Sequence, residues 1–449
     1  MSDLMFARAQ MALTLAFHII FAVVGIGMPL LMVIAEGLYL RTGRPVYLDL
    51  SKRWARGTAI LFAIGAVSGT VLSFELGLLW PKFMQVAGSI IGMPFSLEGF
   101  AFFTEAIFLG IYLYGWQRVP PRAHWLAGLL VAISGAISGV FVMTANAWMN
   151  SPAGFEVVNG QVTNIDPVAA MLNPASLHEI VHMTLAAYVA TGFAVAAIHA
   201  FFLLRDRDNL FHHSALGIAV AMACISIPLQ ILSGDLSARR VAELQPAKLA
   251  AMEALYQSQT GAPLVIGGLP DNDTMTVYYG INIPYGLSLL ATHDPNATIT
   301  GLAEFPPDEW PNVPLVHFSF DLMVAAGMAM LAIAVWTAWI WFRKRRTPGW
   351  ISGDKGWLRA LVVAGPLGFI AIETGWIVTE VGRQPWVIYK FMRTIEAVTP
   401  MKNLGVTFII FTLLYIVLSI ILVFALRRQF LDTPKPGIKE SKEVGVDPA

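Results

Sequence analysis

A small set of side chains able to do redox or proton chemistry stands inside apolar runs long enough to cross a membrane. They are His18, Glu75, Glu98, Glu105, His182, Asp321, Met323 and Glu373. An ionisable group in hydrocarbon is costly, so each is a functional candidate. Imidazole, thioether and carboxylate can all be axial ligands to haem iron. A His/Met pair closes both axial positions and suits electron transfer, whereas a single ligand leaves one face free for a gas. Glu98 and Glu105 are seven residues apart, so a helix puts them on nearly one face, separated by about 10 Å along its axis. Each needs a partner or a proton in an apolar setting, and such a pair can pass protons inward. The competing reading is packing: a hydrogen-bonded histidine in a bundle, or a methionine among the 19 of this chain. His178, one turn before His182, is the rival ligand, and its place at the water boundary ranks it lower.

The elements that must position these groups follow from hydropathy. The chain has 449 residues, 56% hydrophobic and 13% charged, well below the roughly 25% charge of a soluble domain. An all-α integral membrane protein is expected, with about nine transmembrane helices near 12–38, 57–79, 95–116, 124–147, 179–203, 213–233, 314–342, 357–379 and 404–426. Internal Gly365 and Pro366 are expected to be tolerated within the eighth. This divides the chain into helices 1–6 (1–232), a large loop (233–313), helices 7–9 (314–428) and a polar tail (429–449). Arg41, Arg44, Lys52, Arg53, Arg56, Arg118, Arg122, Arg205, Arg207 and the 343–346 cluster all fall on one side if the N-terminus is outside and the C-terminus inside. The acidic loop then lies outside. Within it, Ala247–Tyr256 reads as a short helix and Pro270–Asp273 as a turn. His18, His182, Met323 and Glu373 share the outer half of the membrane. Glu105 is deeper than Glu98. No signal peptide is expected, and the first helix should be retained. The single cysteine excludes an internal disulfide, a CxxCH haem attachment and a cysteine-ligated cluster. Zero net charge gives no field for nucleic acid.

At these residues the sequence resembles subunit I of the cytochrome bd-type quinol oxidases. The matching runs are Ala9–Thr14 leading to His18, Leu97–Gly99 with Ala101–Glu105, Ala145–Pro152, Val181–His182 and Lys248–Glu253. They continue with Ile283–Tyr285, Leu322–Val324, Glu373–Trp376 and Gly382-Arg383-Gln384-Pro385-Trp386. The likeness runs from residue 5 to about 428. It implies a low-spin haem b on His182 and Met323. It also implies a high-spin haem b and a haem d, or a third haem b, on His18 and Glu373. Trp376 and Trp386 would flank the haems, with Glu98, Glu105, Arg383 and Gln384 in the catalytic set. Lys248 and Glu253 would contact quinol, either ubiquinol or menaquinol. The resemblance further implies dioxygen as oxidant, oxidase subunit II as membrane partner, a possible small single-helix accessory subunit, and a bacterial cytoplasmic membrane. Asp321 stands where some relatives carry an arginine near the low-spin haem. Ser73 stands where some carry an acid, with Glu75 two positions on. The loop is of the short type.

Two other readings use the same residues. A transporter or channel would line an ion path with Glu98, Glu105 and Glu373 but leaves the His/Met pair unused. A haem-bearing electron carrier that does not reduce oxygen would need only His182 and Met323. An absorption spectrum separates the three.

Overall fold

The computed structural model describes residues 2–344 and 353–431. Arg345, Arg346 and the tail beyond 431, both invoked in the orientation and domain readings, lie outside the described residues. The chain begins with α1 (Asp3–Thr42), α2 (Pro45–Leu79), α3 (Pro81–Tyr114) and α4 (Pro121–Asn150). A hairpin of β1 (Glu156–Val158) and β2 (Gln161–Thr163) and the short α5 (Pro167–Met171) lead to α6 (Ser176–Arg205) and α7 (Leu210–Leu244). The loop carries α8 (Pro246–Met252), six short strands and α9 (Gly286–Thr292). After it come α10 (Val313–Lys344), α11 (Lys355–Ala364), α12 (Leu367–Val381), the short α13 (Thr394–Ala397) and α14 (Leu404–Leu431). With α11 and α12 taken together, nine stretches among the described residues are long and apolar enough to cross a membrane.

Their limits differ from the hydropathy reading in an instructive way. Apolar runs mark the hydrocarbon, but helices end where capping chemistry ends them. Proline opens α2, α3, α4 and α8 at their first positions, where its missing N–H costs nothing. The first of these starts well before the apolar run at 57, in a polar turn holding Asp49 and Lys52. Similarly, α7 continues as one helix to Leu244. The boundary expected at 233 is therefore a change of polarity, and the loop proper begins at Gln245. The eighth span is two helices, not one. Pro366 cannot donate the hydrogen bond that would continue α11, and its ring would crowd the preceding turn.

Small residues let the central helices approach. A Cβ on Gly27 of α1 would collide with Thr191 of α6, and one on Gly368 of α12 would collide with Ala190. Such contacts are the usual glue of membrane bundles. Around them, Leu31 and Met32 of α1, Phe193 and Ala196 of α6, Leu216 and Ala219 of α7 and Trp357 of α11 form the main core. The loop packs on one end of the bundle through three two-stranded antiparallel pairs. They join β3 (Gln259–Thr260) to β8 (Thr298–Ile299), β4 (Leu264–Ile266) to β7 (Ile281–Ile283), and β5 (Leu269–Asp271) to β6 (Thr276–Tyr278). The turn expected at 270–273 is thus shifted, because Leu269–Asp271 pairs as a strand and the reversal follows it. The expected helix at 247–256 is real but ends at Met252. A last pair, β9 (Trp386–Ile388) with β10 (Met392–Arg393), follows α12.

Candidate functional site

The loop covers the bundle end formed by the start of α6 and the ends of α4, α7 and α12. Lys248 and Glu253 sit there, both about 4% exposed. They are therefore not solvated loop residues. Lys248 donates to Asn150 Oδ1 at 2.9 Å, and Arg383 Nη1 donates to the same oxygen at 3.0 Å. Arg383 also pairs with Glu380 at 2.5 Å, and Glu380 accepts from Asn146 at 2.7 Å. Lys248, Arg383, Gln384 and Trp386 line one narrow cleft together with Glu309 and Tyr389. Gln384 is committed to the turn itself, accepting from Thr394 Oγ1 at 2.7 Å. Trp386 lies under the Arg393 guanidinium at 5.1 Å.

Burial pulls the Lys248 ammonium down from its usual range, and neighbouring Arg383 adds to this. Glu253 faces a different group. Burial, with the charge of Asp321 beside it, pushes its carboxyl up to about 8, and its Oε2 has no partner. Asp321 accepts from Gly267 N–H at 2.7 Å and lies 3.5 Å from His317. It therefore pins the loop onto α10. Met323, two residues on, projects roughly 200° away around the helix, so residue 321 acts on the loop rather than on the Met323 face.

The candidate ligands lie deeper, and both histidines use one device. His182 Nδ1 is 2.9 Å from Ser233 Oγ, whose own proton goes to the Gln230 carbonyl at 2.9 Å. His18 Nδ1 is 3.0 Å from Ser68 Oγ, whose proton goes to the Ile64 carbonyl at 3.0 Å. In each case the serine proton has a backbone carbonyl to go to, so the serine can accept from Nδ1–H, the tautomer that leaves Nε2 with a free lone pair, although at His182 the Gln230 amide also lies 3.3 Å from Nδ1. Fixing the tautomer through the far nitrogen is how metal-binding histidines are prepared. At His182 the Gln230 amide now donates to that Nε2 at 3.1 Å and would have to release it to iron. Glycines flank the ligand positions. A Cβ on Gly375 would stand 3.1 Å from Met323 Sδ, and one on Gly69 2.9 Å from His18 Cε1. Glu373 Oε1 is buried without a partner. Imidazole, thioether and a free carboxylate oxygen, each beside space kept open by glycine or lacking a partner, fit haem as their ligand set.

Trp376 packs against a buried cluster that includes Ile19 and Val23 of α1 and Ala187 and Ala190 of α6. It thus joins the helix of His18 to the helix of His182. Glu98 accepts from Ser138 Oγ at 3.2 Å, and Glu105, 5% exposed, lies against Gly135. Both therefore face α4. Glu75 is fully buried but accepts from Gln10 at 2.8 Å, within a network reaching Thr14 and Tyr415. It ties α2 to α1, and through Gln10 to α14, while its Oε2 is buried without a partner. The rival His178 binds Ser237 Oγ at 3.3 Å, and its Nε2 is buried without a partner.

Sequence reasoning missed Asn150, Glu179 and Glu380. Asn150 and Glu380 stand inside or beside matched runs, but neither was weighed as part of a site. The signal for Glu179 was its place one turn before His182.

The model for the cytochrome bd terminal oxidase subunit I family matches residues 6–434. A putative cytochrome bd menaquinol oxidase subunit I of Bacillus subtilis is 37% identical over 441 residues, covering 97% of this chain and 98% of that one. The cytochrome bd ubiquinol oxidase subunit 1 of the same organism is 32% identical, covering 100% and 98%. Among solved structures, the bd oxidase from Geobacillus thermodenitrificans superposes with a TM-score of 0.90 at 40% identity, covering 96% of this chain and 99% of that one.

Proposed function

The chain belongs to the cytochrome bd terminal oxidase subunit I family of haem-binding, membrane-spanning respiratory oxidoreductases, and on that premise we propose that it oxidises quinol under its loop, at the outer face of a bacterial cytoplasmic membrane, and passes the electrons inward to dioxygen. The observation that carries this is the buried cluster beneath the loop, set around a cleft of only about 10 Å³ that has to open to take a quinol head group. It buries Lys248 and Arg383 beside Gln384 and Trp386, above the helix that bears His182.

We assign His182 and Met323 to a low-spin haem b, and His18 and Glu373 to the high-spin haem b and the haem d or third haem b. Haem held by these residues would supply one-electron redox steps and a site for dioxygen. The chain's own residues handle the protons. Quinol oxidation releases two of them, and Glu253 is the acceptor at the loop face. Its partnerless Oε2 can take a proton and return it to water outside. Glu105 and Glu98 deliver protons to oxygen reduction from the opposite face. Release on one side and uptake from the other separates charge without pumping. Proteolysis of residues 245–312 by protease added to spheroplasts tests the N-out, C-in orientation, and protection of that segment would reverse it. Exposed Phe74, Phe100, Phe103 and Ile107 on α2 and α3 suit oxidase subunit II packed against them within the membrane, which co-purification tests.

The role of Glu253 has a direction with pH. Because its carboxyl is pushed up to about 8, it is the neutral acid at lower pH and becomes a base only above that value. Quinol oxidation should therefore rise with pH through about 8, and Glu253→Gln should flatten the rise. Glu253→Ala and Lys248→Met should slow oxidation of quinol but spare reaction with an artificial one-electron donor. Equal loss with both donors in both variants would refute the quinol assignment.

The carboxylate ligand can be tested against a near neighbour. Glu373 and Glu380 are seven residues apart on α12 and lie on nearly one face. Glu380 has both oxygens engaged, by Asn146 and Arg383, whereas Glu373 Oε1 is free. Glu373→Ala is expected to remove one high-spin haem, and Glu380→Ala to keep all the haem while weakening quinol turnover. The reverse pair of spectra would move the ligand to Glu380.

A further inference from the structure

Asn150 stands at the centre of the network beneath the loop, and its amide can point only one way. Its Oδ1 accepts from Lys248 Nζ at 2.9 Å, Arg383 Nη1 at 3.0 Å and Gln245 Nε2 at 3.3 Å. All three are donors, so a flipped amide would set NH₂ against them. On the other side, Nδ2 donates to Glu179 Oε1 at 2.9 Å, and its remaining acceptors, the Asn146 carbonyl and Oδ1, are at 3.4 and 3.3 Å. The shortest hold on the nitrogen side is therefore Glu179. Its second oxygen, Oε2, is buried and has no partner. The charges also balance. Two cations, Lys248 and Arg383, and two carboxylates, Glu179 and Glu380, share this enclosed region, where an unmatched charge is costly.

We propose that Glu179 is a positioning residue for quinol oxidation: by accepting from Asn150 Nδ2 it aims Asn150 Oδ1 at Lys248 and Arg383 and so holds both cations facing the quinol cleft. Glu179 touches neither the substrate nor the candidate ligands. It acts through Asn150. The simpler reading is that a carboxylate in the first turn of α6 only complements the helix dipole. That role would change stability but would not change the response to quinol concentration. This inference rests on the quinol reading of Lys248 given above.

The test uses the assembled oxidase, with quinol and with an artificial one-electron donor. Glu179→Leu removes the acceptor, while Glu179→Gln keeps an oxygen that can accept from Asn150. Losing a hydrogen bond to a charged group should raise the KM for quinol about tenfold in Glu179→Leu. Its kcat at saturating quinol, its rate with the artificial donor and its haem spectrum should be unchanged, and Glu179→Gln should stay close to wild type. In an Asn150→Ala background, Glu179→Leu should add nothing, because both act through one contact. A wild-type KM in Glu179→Leu would overturn the proposal, as would equal loss in both Glu179 variants or full additivity with Asn150→Ala. Lys248→Met is the control. If it raises the KM and Glu179→Leu does not, only this inference fails. If it does not, the quinol reading fails with it.

Discussion

His182→Ala is expected to remove the low-spin haem and with it quinol-driven oxygen consumption, while the high-spin haems remain. The effect should be the largest of any single substitution in this chain. On this assignment the imidazole itself would supply the bond to iron, and alanine offers no donor atom in its place. His178, a turn away, has the same kind of serine contact, Ser237 on Nδ1, and a partnerless Nε2, so His178→Ala is the companion variant and should keep the low-spin haem. The serine device grades the prediction. Ser233→Ala leaves the ligand but frees its tautomer, and loss of such an outer partner costs roughly 10–100-fold in affinity. His182→Ala should exceed that, with Ser233→Ala between it and wild type. Met323→Leu should likewise lose the low-spin spectrum, since leucine fills the space beside Gly375 without a donor atom. Retention of an unchanged low-spin spectrum in both His182→Ala and Met323→Leu would remove this haem from these two residues.

Glu105→Gln is expected to slow oxygen reduction severely without touching the low-spin haem. Glu105 is buried against Gly135 of α4, with Glu98 about 10 Å away along the same face of α3. Glutamine keeps the shape and the hydrogen-bonding reach but cannot carry a proton. The fully reduced enzyme, mixed rapidly with oxygen, should then be reoxidised in a truncated course whose late phase is slow and whose proton uptake from solution lags. Glu98→Gln should do the same more mildly, because Ser138 remains beside it as a hydroxyl. Wild-type kinetics with a wild-type spectrum would take Glu105 out of the proton path. Loss of every haem would make its role structural.

The sequence made the spans legible because hydrocarbon imposes one simple requirement, a run of apolar residues. The buried ionisable groups were legible for the same reason, since each breaks that rule. Helix limits were not, because proline at α2, α3 and α4 and the break at Pro366 are local chemistry laid over the apolar pattern. Nor was the depth of Lys248 and Glu253. In sequence they belong to an acidic, polar loop, and only the folding of that loop onto Asn150 and Asp321 buries them. Asn150 and Glu179 were invisible as a site because their partners come from other helices. Lys248 and Arg383 reach Asn150 from α8 and from just beyond α12. No periodicity on one helix reports such a meeting. Glu75 combines the two cases: its Oε1 holds Gln10 and ties α2 to α1, while its Oε2 is buried without a partner, as are oxygens of Glu253 and Glu373.

The most direct test of the haem assignments as a whole is the absorption spectrum of the purified, dithionite-reduced protein, recorded before and after carbon monoxide. Haem bands of a low-spin centre that ignores carbon monoxide, together with high-spin bands that shift on its addition, are the expected result. They follow from the proposal that His182 and Met323 together would hold the low-spin haem, while His18 and Glu373 would each be the single protein ligand of a haem that can take a gas. Low-spin bands alone, unmoved by carbon monoxide, would contradict oxygen reduction in this chain, and a spectrum with no haem bands would contradict the ligand assignments altogether.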